Sequence, residues 1–360
     1  MSNLYIGVMS GTSLDGIDLV ICDIDNHACK LVSKFKVVFP LELKSLVLNV
    51  INTSVRLKEI GTLDFKLGLL FANAINEFIS RENIDPSHIN AIGLHGQTLW
   101  HEPDSEYPFS MQLGDANVVT AKTNIKTVAD FRRMDIANGG QGAPLVPAFH
   151  KFLFSKIDGN IAVLNIGGMA NITLLHGEIK GWDTGCGNTL LDLWMSKTRH
   201  KAYDKEGAFA KSGNINEELL CAMINDSYFK KLPPKSTGRE YFNDAWLRQY
   251  LLLFDFLRDE DIQRTLLELT ALSVVNDLED TNTMKLIVCG GGSKNSFLMQ
   301  RLTALCNCEV TISDKLGIDS DFLEAMAFAW LARKRICEQT VELSSVTGAT
   351  KNSILGAVYG

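Results

Sequence analysis

The sequence predicts an α/β protein of two domains, and three observations predict it. Residues 5–25, YIGVMSGTSLDGIDLVICDID, set two β-rich runs on either side of a short turn made of glycine, small hydroxyls and an acid. Residues 161–175 repeat that order of strand, glycine-containing turn and strand. Between and after these openings, short apolar runs alternate with amphipathic helical patterns over 360 residues, a length that accommodates two domains of ordinary size.

Taken in order, residues 5–9 and 17–24 read as paired strands, with Gly11 and Gly16 free to take positive φ in the turn between them. Residues 30–39 continue the β pattern until Pro40 ends it. Residues 41–51 form a helix. Leu63, Leu67, Leu70, Phe71, Ala74, Ile75, Phe78 and Ile79 recur at three-to-four spacing and define an amphipathic helix over 63–82. A short buried strand, 89–94, runs into His95-Gly96-Gln97-Thr98. A helix follows over 116–123, and a strand over 125–129 ends in Asp130-Phe131-Arg132-Arg133. Three glycines and a proline within 138–144 mark a linker or a ligand-facing loop. A domain boundary is therefore expected near 130–144.

In the second half, strands at 161–165 and 171–175 flank Gly167-Gly168, and the glycine-rich loop 181–188 feeds a helix over 189–198. Helices are expected at 216–225, 243–256 and 259–278. The strand 285–289 ends in Gly290-Gly291-Gly292-Ser293, which opens a helix over 294–305. An Ala-rich helix, 322–337, and a closing run at 354–359 complete the chain.

Hydrophobic residues make up 46% and charged residues 21%, the balance of a globular protein. A net charge of -7 argues against a nucleic-acid-binding surface but leaves room for a small phosphorylated ligand. The N-terminus enters a strand with no basic region or long apolar core, and no stretch spans a bilayer, so a cytoplasmic protein with no membrane partner is expected. Eight cysteines fall short of disulfide-scaffold density. Cys306 and Cys308 form a lone C-x-C, and Cys22 and Cys289 sit in strand patterns as reduced thiols.

No P-loop, zinc helix, nucleophile elbow or protein-kinase signature occurs. Instead, three glycine turns recur in an order suited to a nucleoside triphosphate: Ser10 to Ser13, Gly167-Gly168, and Gly290-Gly291-Gly292 with Ser293. Bare N–H groups and hydroxyls in such turns bind phosphate. Asp15 and Asp18 can hold a metal, directly or through water. Asp183 is the candidate general base, a carboxylate on a glycine-rich loop just before a helix; an Asx-turn or cap aspartate is the alternative. His95, Gln97 and Thr98 can hold sugar hydroxyls, or His95 can be structural. Arg132 can grip a carboxylate, or form a surface salt bridge. Glu324 either faces a ligand or simply complements the helix dipole.

Together, MSGTSLDGID, GLHGQT, ADFR with GGQGAPLVP, NIGGMANIT, DTGCGN, KSTGREYF, CGGGSKN and EAMAFAWLA run in the order found in one family. The chain resembles, nearly end to end, the anhydro-N-acetylmuramic acid kinases of bacterial cell-wall recycling. One departure is Cys186, where that family usually carries proline. The resemblance implies the two-domain actin-like/sugar-kinase (ribonuclease H-like) fold with an interdomain ATP cleft, Mg²⁺ as the accompanying ion, and typically a homodimer. It implies a reaction in which ATP and water convert 1,6-anhydro-N-acetylmuramic acid to N-acetylmuramic acid 6-phosphate and ADP. An ordinary amino-sugar 6-hydroxyl kinase of the same fold is the alternative. It places the base on Asp183 and the ATP motif on Gly11, Thr12, Ser13, Leu14, Asp15, Gly16, Ile17 and Asp18. It brings His95, Gln97, Thr98, Arg132 and Glu324 to the sugar. The fold it implies sets the expected domains at 1–130, completed by 345–360, and 131–344.

Overall fold

The computed structural model describes residues 3–12, 14–233, 235–254 and 256–360, and divides into two units. The first comprises residues 1–154 and 322–360, and the second residues 155–321.

The first unit is built on one mixed sheet. Its strands are β1 (Leu4–Ser10), β2 (Gly16–Ile24), β3 (Cys29–Val38), β4 (Ile89–Glu102), β5 (Phe109–Leu113), β6 (Thr127–Ala129) and, from the chain's end, Ala357–Tyr359. The three opening strands pair antiparallel, β1 and β6 flank β4 in parallel, and Ala357–Tyr359 closes the sheet beyond β6. The second unit carries β7 (Ile161–Ile166), β8 (Met169–Leu174), β9 (Lys180–Cys186), β10 (Lys285–Cys289) and β11 (Glu309–Ile312); Ala357–Tyr359 is accordingly β12. Here β7, β8 and β9 pair antiparallel, while β10 and β11 continue from β7 in parallel. Each unit thus shows the same order: third, second and first strand, then the two parallel strands. This is the ribonuclease H-like arrangement, present once in each unit.

The strands form where β-branched and apolar residues concentrate, and each face of the sheet is then covered by helices. In the first unit the helix Leu57–Glu82 buries Leu63, Leu67, Phe71, Ile75 and Phe78 in the core. Its end is set by Asn83, whose left-handed conformation (φ 54°) turns the chain out of the helix. The other cover is the helix Leu323–Ile336, packed on β1, β2 and β4. Its approach requires glycine beneath it. A Cβ on Gly7 would stand 1.8 Å from the Ala325 carbonyl oxygen, and one on Gly93 2.0 Å from that of Phe328.

The expected domain limits at 130/131 and 344/345 are corrected to 154/155 and 321/322. Packing decides this. Phe149, on the helix Val146–Phe154, meets Trp330 at 5.7 Å. Buried Asp135 accepts hydrogen bonds from Gly142 N and from the Thr347 hydroxyl, both at 2.8 Å. The glycine run 138–144 is therefore a loop tied into the first unit. Among the described residues, no helix is long and apolar enough to cross a membrane.

Candidate active site

In the first unit, β1 and β2 present the 10–18 turn. The Ser10 hydroxyl donates to Gln97 Oε1 at 2.7 Å, and Gln97 Nε2 donates to the Gly11 carbonyl at 3.4 Å. The turn and the His95–Thr98 segment are thereby one polar group. The left-handed residue of this turn is Leu14 (φ 55°), while Gly16 simply starts β2. This corrects the expectation that glycine carries the unusual backbone there. Leu14 is buried and anchors the turn into the core, and Leu14 N closes it on the Gly11 carbonyl at 3.3 Å. Ile17 is fully buried in the same core, and Thr12 stands exposed. Ser13 lies outside the described residues. Asp15 is exposed and 3.4 Å from Lys44, and Asp18 lies 3.1 Å from Lys36.

His95-Gly96-Gln97-Thr98 lies inside β4, not after a short strand as expected. Gly96 (φ 77°) bends the strand where its pairing passes from β1 to β5. His95 is buried, with its ring 4.8 Å from that of Phe328. Arg132 donates to His95 Nε2 at 2.9 Å and to the Gly142 carbonyl at 2.9 Å. Burial, and then the neighbouring guanidinium, push the His95 pKa down to about 3, so the ring is neutral and accepts at Nε2. Burial lowers Arg132 itself to about 10, which leaves it charged at neutral pH. Glu324 is exposed as a residue, yet enough protein surrounds its carboxyl that desolvation raises its pKa; Arg132 opposes the rise and Asp18 adds to it. One cluster therefore contains a fixed cation, a neutral imidazole and, beside them, an acid. Thr98 accepts from Gln112 Nε2 at 3.2 Å. His95 and Gly96 also line a recess of about 510 Å³ with Gln112, Asp130, Arg133 and Tyr359; Gln97, Arg132 and Glu324 do not line it.

In the second unit, the carboxyl ends of the parallel strands β7 and β10 carry the two remaining glycine turns. At the first, Gly187 N and Thr189 N donate to the Gly168 carbonyl at 2.8 and 3.1 Å, and Asn188 N donates to the Gly167 carbonyl at 2.8 Å. A Cβ on Gly168 would sit 2.9 Å from Thr189 Oγ1 and 3.7 Å from the Arg239 guanidinium. The 290–293 turn packs against the end of β7: a Cβ on Gly292 would lie 2.3 Å from the Ile166 side chain, whereas Gly291 faces open space toward Asn188. Gly290 adopts φ 79°. Gly291 and Gly292 belong to a 3₁₀ turn, Gly291–Lys294, which precedes the helix Ser296–Leu305 and its cap Asn295. The expected direct entry from glycines to helix is corrected accordingly.

Asp183 lies in strand β9, not on a loop. The ladder with β8 skips one residue there, with Ala170 opposite Gly185 and Asn171 opposite Asp183, which leaves Thr184 as a bulge. Such bulges re-aim side chains. Asp183 Oδ2 accepts from Thr237 N at 2.9 Å and from the Ser236 hydroxyl at 3.1 Å. Oδ1 has no protein partner among the described residues. Desolvation raises the Asp183 pKa, opposed by those two hydrogen bonds and assisted by nearby Glu240. A carboxylate with one oxygen held and the other open can accept a proton from a bound water or hydroxyl.

In the sequence, 235–240 stands out only as part of the KSTGREYF motif. Sequence reasoning missed that Ser236 and Thr237 hold Asp183, because nothing in the spacing reports a contact over more than fifty positions. It named Ser10 only as part of the phosphate turn and missed its bond to Gln97, and it missed the Gly142 carbonyl. The GGQGAP run was the available signal for the latter.

The model of the family described as anhydro-N-acetylmuramic acid kinase matches residues 3–360. A protein of that name from Sulfurimonas denitrificans is 54% identical over 367 residues, covering 100% of both chains. One from Sulfurovum sp. is 51% identical, covering 99% of this chain and 98% of its own, and one from Pasteurella multocida is 49% identical, covering 99% and 96%. Both units and every segment of the site lie within these matches, and the chain belongs to the anhydro-N-acetylmuramic acid kinase family.

Proposed function

We propose that this chain opens 1,6-anhydro-N-acetylmuramic acid with water and phosphorylates its O6 with ATP, giving N-acetylmuramic acid 6-phosphate and ADP for cell-wall recycling. The observation that carries this reading is the state of Asp183: desolvated, held at Oδ2 by Ser236 and Thr237, and open at Oδ1. In the anhydro sugar O6 is bonded to C1, so the acceptor is not a free hydroxyl. The base must act on water instead.

Asp183 Oδ1 takes a proton from water as the water oxygen bonds to C1. The C1–O6 bond breaks, and O6 takes its electron pair to the γ-phosphorus, with ADP leaving. Asp183 then releases its proton to solvent. The backbone of the 11–12, 167–168 and 290–292 turns is suited to phosphate, and Gly291, open on the side a Cβ would fill, allows close approach. Arg132, charged and held by His95 and the Gly142 carbonyl, is suited to the sugar's lactyl carboxylate. Thr98 and Glu324 are suited to its hydroxyl and amide groups, while Gln97, buried and bonded to Ser10 and Gly11, shapes the turn beside them.

Mg²⁺ entering with ATP supplies charge neutralisation on the phosphates. Asp15 and Asp18 fit it through water, since each carboxylate already faces a lysine. No cluster of three potential ligands occurs among the described residues, as suits an ion carried by a nucleotide.

The test is phosphoryl transfer from ATP to the anhydro sugar and, separately, to free N-acetylmuramic acid. Transfer to the anhydro sugar with little to the free sugar supports the reading. Preference for the free sugar would establish an ordinary 6-hydroxyl kinase.

A further inference from the structure

The arrangement behind Asp183 extends this reading to residues that touch no reactant. Trp182 precedes Asp183, and Lys235 precedes the two residues that hydrogen-bond its carboxylate. Both are tied to one acid. Asp277, on the helix Asp259–Leu278, accepts from Trp182 Nε1 at 2.9 Å through Oδ2 and from Lys235 Nζ at 2.8 Å through Oδ1. The side chains are enclosed, Lys235 being 2% and Asp277 11% exposed. The two segments are also laced directly: Asp183 N donates to the Lys235 carbonyl at 3.0 Å, and the Tyr228 hydroxyl to the Asp183 carbonyl at 2.7 Å.

We propose that Asp277, through Lys235 and Trp182, is the positioning residue of the catalytic base: it fixes the Ser236–Thr237 donors and the Asp183 strand relative to each other, so that Oδ1 is aimed and Oδ2 stays engaged. This rests on Asp183 being the base. The chemistry favours a charged tie here. Moving a buried ammonium off its carboxylate leaves both charges unpaired, a cost that an apolar contact at the same place does not impose on sliding. Displacing a reacting group by about 1 Å costs on the order of 10²-fold in rate. The titratable groups around Asp183 are Glu240, which raises its pKa, Tyr228, and the Lys235–Asp277 pair, whose ammonium also stands 5.5 Å from the centre of the Tyr228 ring.

The test combines Lys235→Met with Asp277→Asn, so that no charge is left unpaired and Trp182 keeps an acceptor. Trp182→Phe removes the other arm without touching a charge and keeps the test open should the double variant fail to fold. Asp183→Asn runs beside them. Folded variants with KM for both substrates within about threefold of the parent, and kcat lowered on the order of 10–10²-fold, support the proposal. The acid limb of kcat/KM should also move to higher pH, because looser Ser236 and Thr237 bonds stabilise the carboxylate less. Unchanged kcat and an unmoved acid limb, with Asp183→Asn inactive, overturn it and reduce the pair to a structural tie. An active Asp183→Asn removes the base assignment itself, and the proposal with it.

Discussion

At the scale of single residues, Asp183 is set by two opposed influences. Desolvation raises its pKa, while the Thr237 amide and Ser236 hydroxyl lower it. A base must be ionised to act, and the net effect is upward. The acid limb of kcat/KM should therefore lie above the ordinary aspartate value of about 3.9, and Ser236→Ala should move it higher still. A pH–rate profile of both proteins checks this. Arg132 is the second such residue. Its planar head reaches His95 Nε2 and the Gly142 carbonyl together, a geometry that an ammonium cannot copy. Arg132→Lys should lower kcat/KM for the anhydro sugar by about 10–10²-fold, the worth of a charge-assisted hydrogen bond of about 1.5–3 kcal/mol, with little change in KM for ATP. Steady-state kinetics with each substrate varied in turn decides it. Both residues stand out as candidates in the sequence because each lies in a motif. Their partners do not: Ser236, Thr237 and Gly142 act through hydrogen bonds that leave no mark on spacing.

At the scale of elements, the helix Leu323–Ile336 delivers Glu324 because it can lie against bare backbone at Gly7 and Gly93. Gly7→Ala forces the helix away from β1 and should cost about 3 kcal/mol, at the upper end of ordinary overpacking, with activity falling in the folded fraction as Glu324 shifts. Gly61 lies within the helix Leu57–Glu82, and a Cβ added there would meet no described atom within 4 Å. Gly61→Ala should leave activity unchanged and stabilise by about 0.5–1 kcal/mol. Denaturant melts of the two variants test the contrast. The long helix of the first unit was readable from three-to-four periodicity, and the first hairpin from its glycine turn. Among the element assignments that failed, such as the unexpected helix Val146–Phe154, two have a clear physical reason. β4 continues through His95-Gly96-Gln97-Thr98 because β5 supplies a second partner, a long-range pairing that local pattern does not report. Asp183 belongs to a bulged strand, and its flanking glycines resembled a loop because a bulge demands the same residues.

At the scale of the whole molecule, the repeated strand order follows the two strand–turn–strand openings seen in the sequence. The unit limits did not follow, since the glycine run 138–144 looked like a linker until Asp135 and Thr347 were seen to hold it. Acid acts on the first unit through two histidines. His95 and His150 are both buried there and lowered to about 3, chiefly by desolvation. Unfolded histidine titrates near 6.5, so between about pH 6.5 and 3 the unfolded chain binds more protons than the folded one. The stability contributed by these two neutral rings is therefore fully present above that window and falls as pH drops through it, by up to about 1.4 kcal/mol per pH unit for each histidine. Neither ring nitrogen of His150 has a hydrogen-bond partner among the described residues. His150→Leu should accordingly flatten the dependence of Tm on pH between about 6.5 and 4, which thermal melts across that range would show. A slope equal to that of the parent protein would refute the assignment.

The central claim is that Asp183 activates water at C1 and that O6, freed by that attack, takes the phosphoryl group. The direct measurement is a reaction in ¹⁸O-water with ATP and the anhydro sugar, sampled before the reducing product exchanges its anomeric oxygen. The account predicts one ¹⁸O at C1 of the first-formed N-acetylmuramic acid 6-phosphate and none in the transferred phosphoryl group. Early product with no label at C1 would contradict it.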